Sequence, residues 1–191
     1  WTYCFLGWSY AFAVRLPEAL RLLQDAARRV RNPHPVYLAL ADILGRAGKR
    51  ELAEAFLRRL VAQSAHLSQA HQGFGEILLG QGRLQEAQAS FRKAIRLDPD
   101  LPWPHIFLGE ALERLGRFEL ARRAWAAAER AKFKNALADL KLGDICLRHG
   151  LAHDARRHYL RSWKRDPGSA AAGGRMGDLH KGKGEFAEAV R

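Results

Sequence analysis

RHGLAHDARRHYL, residues 148–160, gathers His149, His153 and His158, and imidazoles this close in sequence raise the question of a metal or acid–base site. The pattern answers against it: the stretch holds no His-Glu-x-x-His pair and no zinc-ligand spacing. These residues read as surface histidines of a helical hairpin. A second set of chemistry-bearing side chains is spread out, for Asp42, Glu76, Glu110, Asp144 and Asp178 follow one another at intervals of 34 residues in a chain whose formal net charge is +12. The glycines keep the same interval and follow no strand, so none belongs to a phosphate loop. No Ser or Cys stands in a context that suggests an activated nucleophile. The chain reads as a non-enzyme with no metal and no cofactor, and its carboxylate column suits recognition of a basic group on a ligand.

The interval of 34 residues runs through all 191. Gly75 lines up with Gly7, Ala41, Gly109, Gly143 and Gly177, and Ala87 with Ala19, Ala53, Ala121, Ala155 and Ala189. The units predicted are 1–33, 34–67, 68–101, 102–135, 136–169 and a partial 170–191. Each reads as helix, tight turn, helix. Ala70, Phe74, Ile77 and Leu78 recur at helical spacing, and so do Leu84, Ala87, Phe91, Ala94 and Ile95. Between them Gly82 supplies the stop, because a residue without a side chain enters the left-handed conformation at no steric cost. Asp98-Pro99 and Asp166-Pro167 close second helices, proline lacking the amide donor a helix needs. Small residues at Gly75 and Ala87 let the two helices of a hairpin cross closely.

This period and pattern resemble the tetratricopeptide repeat, in which W-x₂-L-G-x₂-Y is followed by Ala, Phe, Ala and Pro. The opening motif stands here as Tyr3-x₂-Leu6-Gly7-x₂-Tyr10, His105-x₂-Leu108-Gly109-x₂-Leu112 and Asp139-x₂-Leu142-Gly143-x₂-Cys146. The resemblance implies an all-α fold, a right-handed superhelical solenoid of helix-turn-helix repeats, with first helices on the concave wall and second helices on the convex one. It also implies which side chains line the groove: Leu38 and Asp42; Gln72, Glu76 and Leu79; Ile106, Glu110 and Arg114; Leu140, Asp144, Leu147 and Arg148. Asp42, Glu110 and Asp144 each precede an arginine by four residues, the order that steadies a helix by about 0.2–0.5 kcal/mol. Glu76 and Asp178 precede Gly80 and Gly182 instead. On that ground Glu76 is the carboxylate expected to meet a ligand.

Composition fits and adds limits. Leu, Ala, Arg and Glu favour helix throughout, and no apolar run approaches the roughly 20 residues that span a bilayer. A cytoplasmic location is expected. Cys4 and Cys146 lie four units apart, too far for a disulfide within one chain. The chain opens inside a first helix and stops inside a second, which reads as a segment of a longer protein. Trp1, Tyr3, Phe5, Leu6, Trp8, Tyr10 and Phe12 make the opening helix apolar nearly all round, so it needs cover from a preceding unit or from self-association.

The function these features imply is a protein–protein interaction scaffold that holds a peptide or helix of a partner in the concave groove. Two alternatives stand beside it. The basic second helices form a convex face suited to nucleic acid or another acidic surface, although Glu and Ala interrupt it and base-stacking aromatics are lacking. The chain also suits a docking or regulatory segment of an enzyme whose catalytic domain lies elsewhere.

Overall fold

The computed structural model describes residues 34–63, 65–132 and 135–181, with Pro17, Glu18, Arg21 and Asp25 in helical conformation before them. The apolar opening helix, the self-association expected of it, and Cys4 lie outside these residues. Among the described residues the chain is all helix, without a strand: α1 (His34–Arg46), α2 (Arg50–Gln63), α3 (Ser68–Gly80), α4 (Leu84–Leu97), α5 (Pro102–Arg114), α6 (Phe118–Arg130), α7 (Ala136–Arg148), α8 (Ala152–Arg165) and α9 (Ala170–Lys181). Among the described residues no helix is long and apolar enough to cross a membrane.

Turn chemistry sets the hairpins. Gly48, Gly82, Gly116 and Gly150 hold φ between 73° and 78°, the left-handed region where a Cβ is penalised. The amide after each glycine reaches back to a first-helix carbonyl, as Arg83 does to Leu78 at 3.0 Å. Second helices end where the sequence places aspartate before proline, α4 at Leu97 and α8 at Arg165. Asn135 caps α7 by accepting the Ala138 amide at 2.7 Å, a bond that satisfies one of the donors a helix start leaves unpaired.

The small-residue column of the first helices has a specific partner. The Phe91 ring lies on Gly75 so closely that a Cβ there would stand 2.5 Å from Cε1, and Trp125 covers Gly109 and Tyr159 covers Gly143 in the same way. The aromatic of each second helix therefore fills the place of the missing side chain. Ala53, Ala87, Ala121 and Ala155 are fully buried beside these crossings.

Stacking of the hairpins decides which face is inner. Successive first helices touch one another more closely than successive second helices do, so the first helices lie on the shorter, concave path. The same stacking corrects two groove assignments. Ile106 is completely buried, packed with Ala128, Ala138, Leu142 and Ile145, and Leu79 is only 6% exposed in the cluster of Leu78, Ala87 and Phe91. A position that looks outward on an isolated hairpin is covered once the next hairpin leans on it.

Candidate functional site

On the inner wall α3 presents Gln69, Gln72, Glu76 and Gly80 along one face, and they border a pocket of about 480 Å³ shared with Gly45 and with Arg50. The Gln72 amide donates to Glu76 Oε1 at 2.8 Å. The expectation that Glu76 lacks an intrahelical neighbour is thus corrected: a polar residue one turn before it fills the role that an arginine one turn after it does not. Leu38, Asp42 and Arg46 belong to α1, and their side chains lie outside those described.

Further along the wall the acidic residues are already matched, and by partners other than those expected. Glu110 pairs with Lys141 Nζ at 2.8 Å, not with Arg114. Arg114 instead donates to the carbonyl of Leu79 at 3.1 Å, a cation on the negative end of α3. Arg148 pairs with Glu113 at 3.1 Å, not with Asp144, and His149 shares that carboxylate at 2.8 Å. Asp144 Oδ1 accepts from the Tyr159 hydroxyl at 2.8 Å and from Arg175 Nε at 2.8 Å. The lysine and arginine contacts each join one first helix to the next, so these charges tie repeats together. Burial, and then the hydrogen bond to Asp144, raise the pKa of the Tyr159 hydroxyl above its ordinary value. That phenol stays a donor.

The apolar part of the wall lies on α7. Leu147 is 40% exposed and Leu137 61%; Leu140 is half-buried against Ala155, Tyr159 and Met176. Of the apolar groove residues named from sequence whose side chains are described, Leu140 and Leu147 keep accessible surface and Ile106 and Leu79 do not.

The histidines divide. His149 leans on the Trp125 ring, centroids 5.4 Å apart, and His153 is exposed, but His158 is 3% exposed and corrects its assignment to the surface. The second-helix face also carries an exposed aromatic, Trp163, which the sequence reading placed nowhere. Cys146 is a free, half-buried thiol whose pKa is raised by burial and by the nearby Asp154 and Glu129. Such a thiol is a poor nucleophile.

Sequence models of the repeat family match in three places: tetratricopeptide repeat models at residues 34–59 and 108–170, and a TPR repeat model at 75–116. The chain belongs to the tetratricopeptide repeat family. Solved structures share the fold of this repeat protein, a right-handed superhelical solenoid. TTC0263, a thermophilic TPR protein of Thermus thermophilus, matches with a TM-score of 0.72 at 19% identity, over 99% of this chain and 97% of that one. PilF of Pseudomonas aeruginosa matches with a TM-score of 0.65 at 19% identity, over 99% and 86%. YrrB, a TPR protein with an unusual peptide-binding site, matches with a TM-score of 0.50 at 22% identity, over 81% and 80%. Among curated proteins no relative matches by sequence.

Proposed function

We propose that this repeat protein is an interaction scaffold, without catalysis of its own in this segment, that holds a peptide or helix of a partner protein in the concave groove. The observation that carries the reading is the inner-wall pocket, where Gln69, Gln72, Glu76 and Gly80 of α3 border open space of about 480 Å³ shared with Gly45 and Arg50 of the preceding hairpin. Gln69 and Gln72 there offer amides that pair with a peptide backbone in either sense. Leu147 and Leu137 supply apolar surface further along. Because Glu110, Glu113 and Asp144 are matched by the chain's own cations, charge on this wall sets register and rejects wrong partners more than it supplies affinity. YrrB, with its peptide-binding site, is a likeness in the same direction.

The test is site-specific crosslinking in the whole protein, with a photoreactive residue in place of Gln69 on the inner wall or of Arg123 on the outer one. Adducts are expected from position 69, and Leu147→Asp is expected to weaken the captured partner on the order of tenfold, the loss of one central apolar contact. Adducts from position 123 alone, with Leu147→Asp binding as well as the parent, would move the function to the other face.

A second reading has one observation in its favour. Arg96, Arg130 and Lys164 follow one another at the repeat interval on second helices, all exposed and in none of the ion pairs found among the described residues, and Trp163 stands 41% exposed beside the last. If that column tracks phosphates, affinity for a generic duplex falls linearly on a log–log salt plot, and Arg130→Glu with Lys164→Glu flattens the slope.

A further inference from the structure

The polar ties between successive first helices on the inner wall fall at two sequence intervals. At 31 residues an acid meets a base on the following first helix, Glu110 with Lys141 and Asp144 with Arg175, both at 2.8 Å. At 35 residues an arginine reaches back to the end of the preceding first helix, Arg114 to the Leu79 carbonyl and Arg148 to Glu113, both at 3.1 Å. Between α1 and α3 both intervals fall on glycine. Asp42, the acid of the column on α1, is followed 31 residues later by Gly73, and Gly45 is followed 35 residues later by Gly80.

Gly45, Gly73 and Gly80 all border the inner-wall pocket of about 480 Å³. Since α1 and α3 approach each other more closely than the later pairs of first helices do, the pocket is not a gap between splayed hairpins. It is a hollow at the place where two long basic side chains, Lys141 and Arg148, stand at the junction of α5 with α7. Ala41, Leu57 and Ile77 give it an apolar lining, the kind of surface along which the methylenes of a lysine or arginine lie while the charged head stays among polar groups. Glu76 borders it one turn beyond Gly73. A carboxylate carries about four acceptor sites, so the bond from Gln72 does not exhaust it; Asp144, at the same place in its own repeat, accepts two donors on one oxygen. Among the described residues that border the pocket the cation is Arg50, whose Nε lies 3.9 Å from the position a Cβ on Gly80 would take. Gly73 lies seven residues before Gly80, about 10 Å along the helix axis, a distance at which physiological salt screens most of the repulsion between exposed charges.

We propose that the Gly73 end of this pocket takes a lysine or arginine side chain of the bound partner segment, which supplies the base that Lys141 and Arg175 supply at the later junctions. The inference rests on the reading of the concave groove as a peptide-binding wall, and it names the ligand's chemistry. Further along, the wall's acids are matched from within the chain, so a basic residue of the partner is drawn to this junction and sets the register of the whole segment.

The probe is a library of random dodecapeptides displayed on phage and selected on the whole protein, with each selected peptide synthesised and placed by the NMR signals of the Gln72 side-chain amide and the Gly73 backbone amide. Peptides that move these signals are expected to share lysine or arginine at one fixed position. Replacing an arginine there by citrulline, which keeps the shape and removes the charge, is expected to weaken binding about fivefold, the upper end for one partly exposed charge pair. Gly73→Lys restores the 31-residue pair and is expected to weaken the arginine peptide more than the citrulline peptide. Gly80→Arg should give the same ordering at a site where nothing lies closer than 3.9 Å to the new Cβ, so the test survives a Gly73→Lys chain that does not fold. Inner-wall peptides with no fixed base, a fixed acid in its place, or equal binding by the citrulline peptide would overturn this proposal and leave the scaffold reading standing. Peptides that bind only the outer wall, or a selection that returns no binder, would overturn both.

Discussion

The aromatic-on-glycine crossings make a prediction in which one chemical change has opposite signs at two sites. Glycine inside a helix costs about 0.8–1.0 kcal/mol relative to alanine, so Gly→Ala stabilises wherever the added methyl meets nothing. At Gly174 in α9 nothing lies within 4 Å of the position a Cβ would take. Gly174→Ala is therefore expected to gain up to about 1 kcal/mol. At Gly143 the added Cβ falls inside contact distance of the Tyr159 ring, and that ring is completely buried. Overpacking of this kind costs about 1–3 kcal/mol. Displacing the ring also strains the hydroxyl's 2.8 Å bond to Asp144, worth about 1 kcal/mol. After subtraction of the helix-propensity gain, Gly143→Ala is expected to lose about 1–3 kcal/mol. For a chain of this length about 1 kcal/mol moves the melting temperature by about 2–4 °C, so calorimetry should place Gly174→Ala above the parent and Gly143→Ala several degrees below it. Equal melting temperatures for the two variants would refute the crossing as the reason for the glycine column.

Two further outcomes follow from the charges between and within repeats. Asp144→Ala should destabilise by about 1–3 kcal/mol, since it leaves the buried Tyr159 hydroxyl unpaired, whereas Glu110→Ala should cost less than about 1 kcal/mol, the value of a pair with a half-exposed lysine; urea midpoints measure both. Burial pushes the Asp139 carboxyl up, but the His158 ring and Arg165, 2.7 Å away, together pull it below its ordinary value. The stability it contributes is then complete above about pH 4 and is lost as pH falls through the lower folded-state value. Arg165→Met should narrow the difference between urea midpoints measured at about pH 6 and about pH 3, and an unchanged difference would show that Arg165 does not hold the carboxylate.

The hairpins follow from local features of the chain. A turn glycine with positive φ, an aspartate–proline helix end and an apolar stripe are local requirements, met by residues a few positions apart. Repetition at one interval made the register legible at Gly75, Ala87 and Phe91 and at their counterparts. Even the close crossing could be read, because Gly75 and Phe91 belong to one hairpin.

What one repeat does to the next depends on packing between hairpins. The pairs of Glu110 with Arg114, and of Asp144 with Arg148, satisfied the helical rule of four residues, but each acid found its cation on the following first helix instead. Glu110 to Lys141 and Asp144 to Arg175 both span 31 residues, so opposite charges about one repeat length apart were the signal to search for. The burial of Ile106 and His158 depends in the same way on the angle at which hairpins stack. That angle comes from the summed packing of several helices, and no single stretch of chain encodes it; a helix fixes where its own side chains point, and only the neighbouring repeat fixes what they meet.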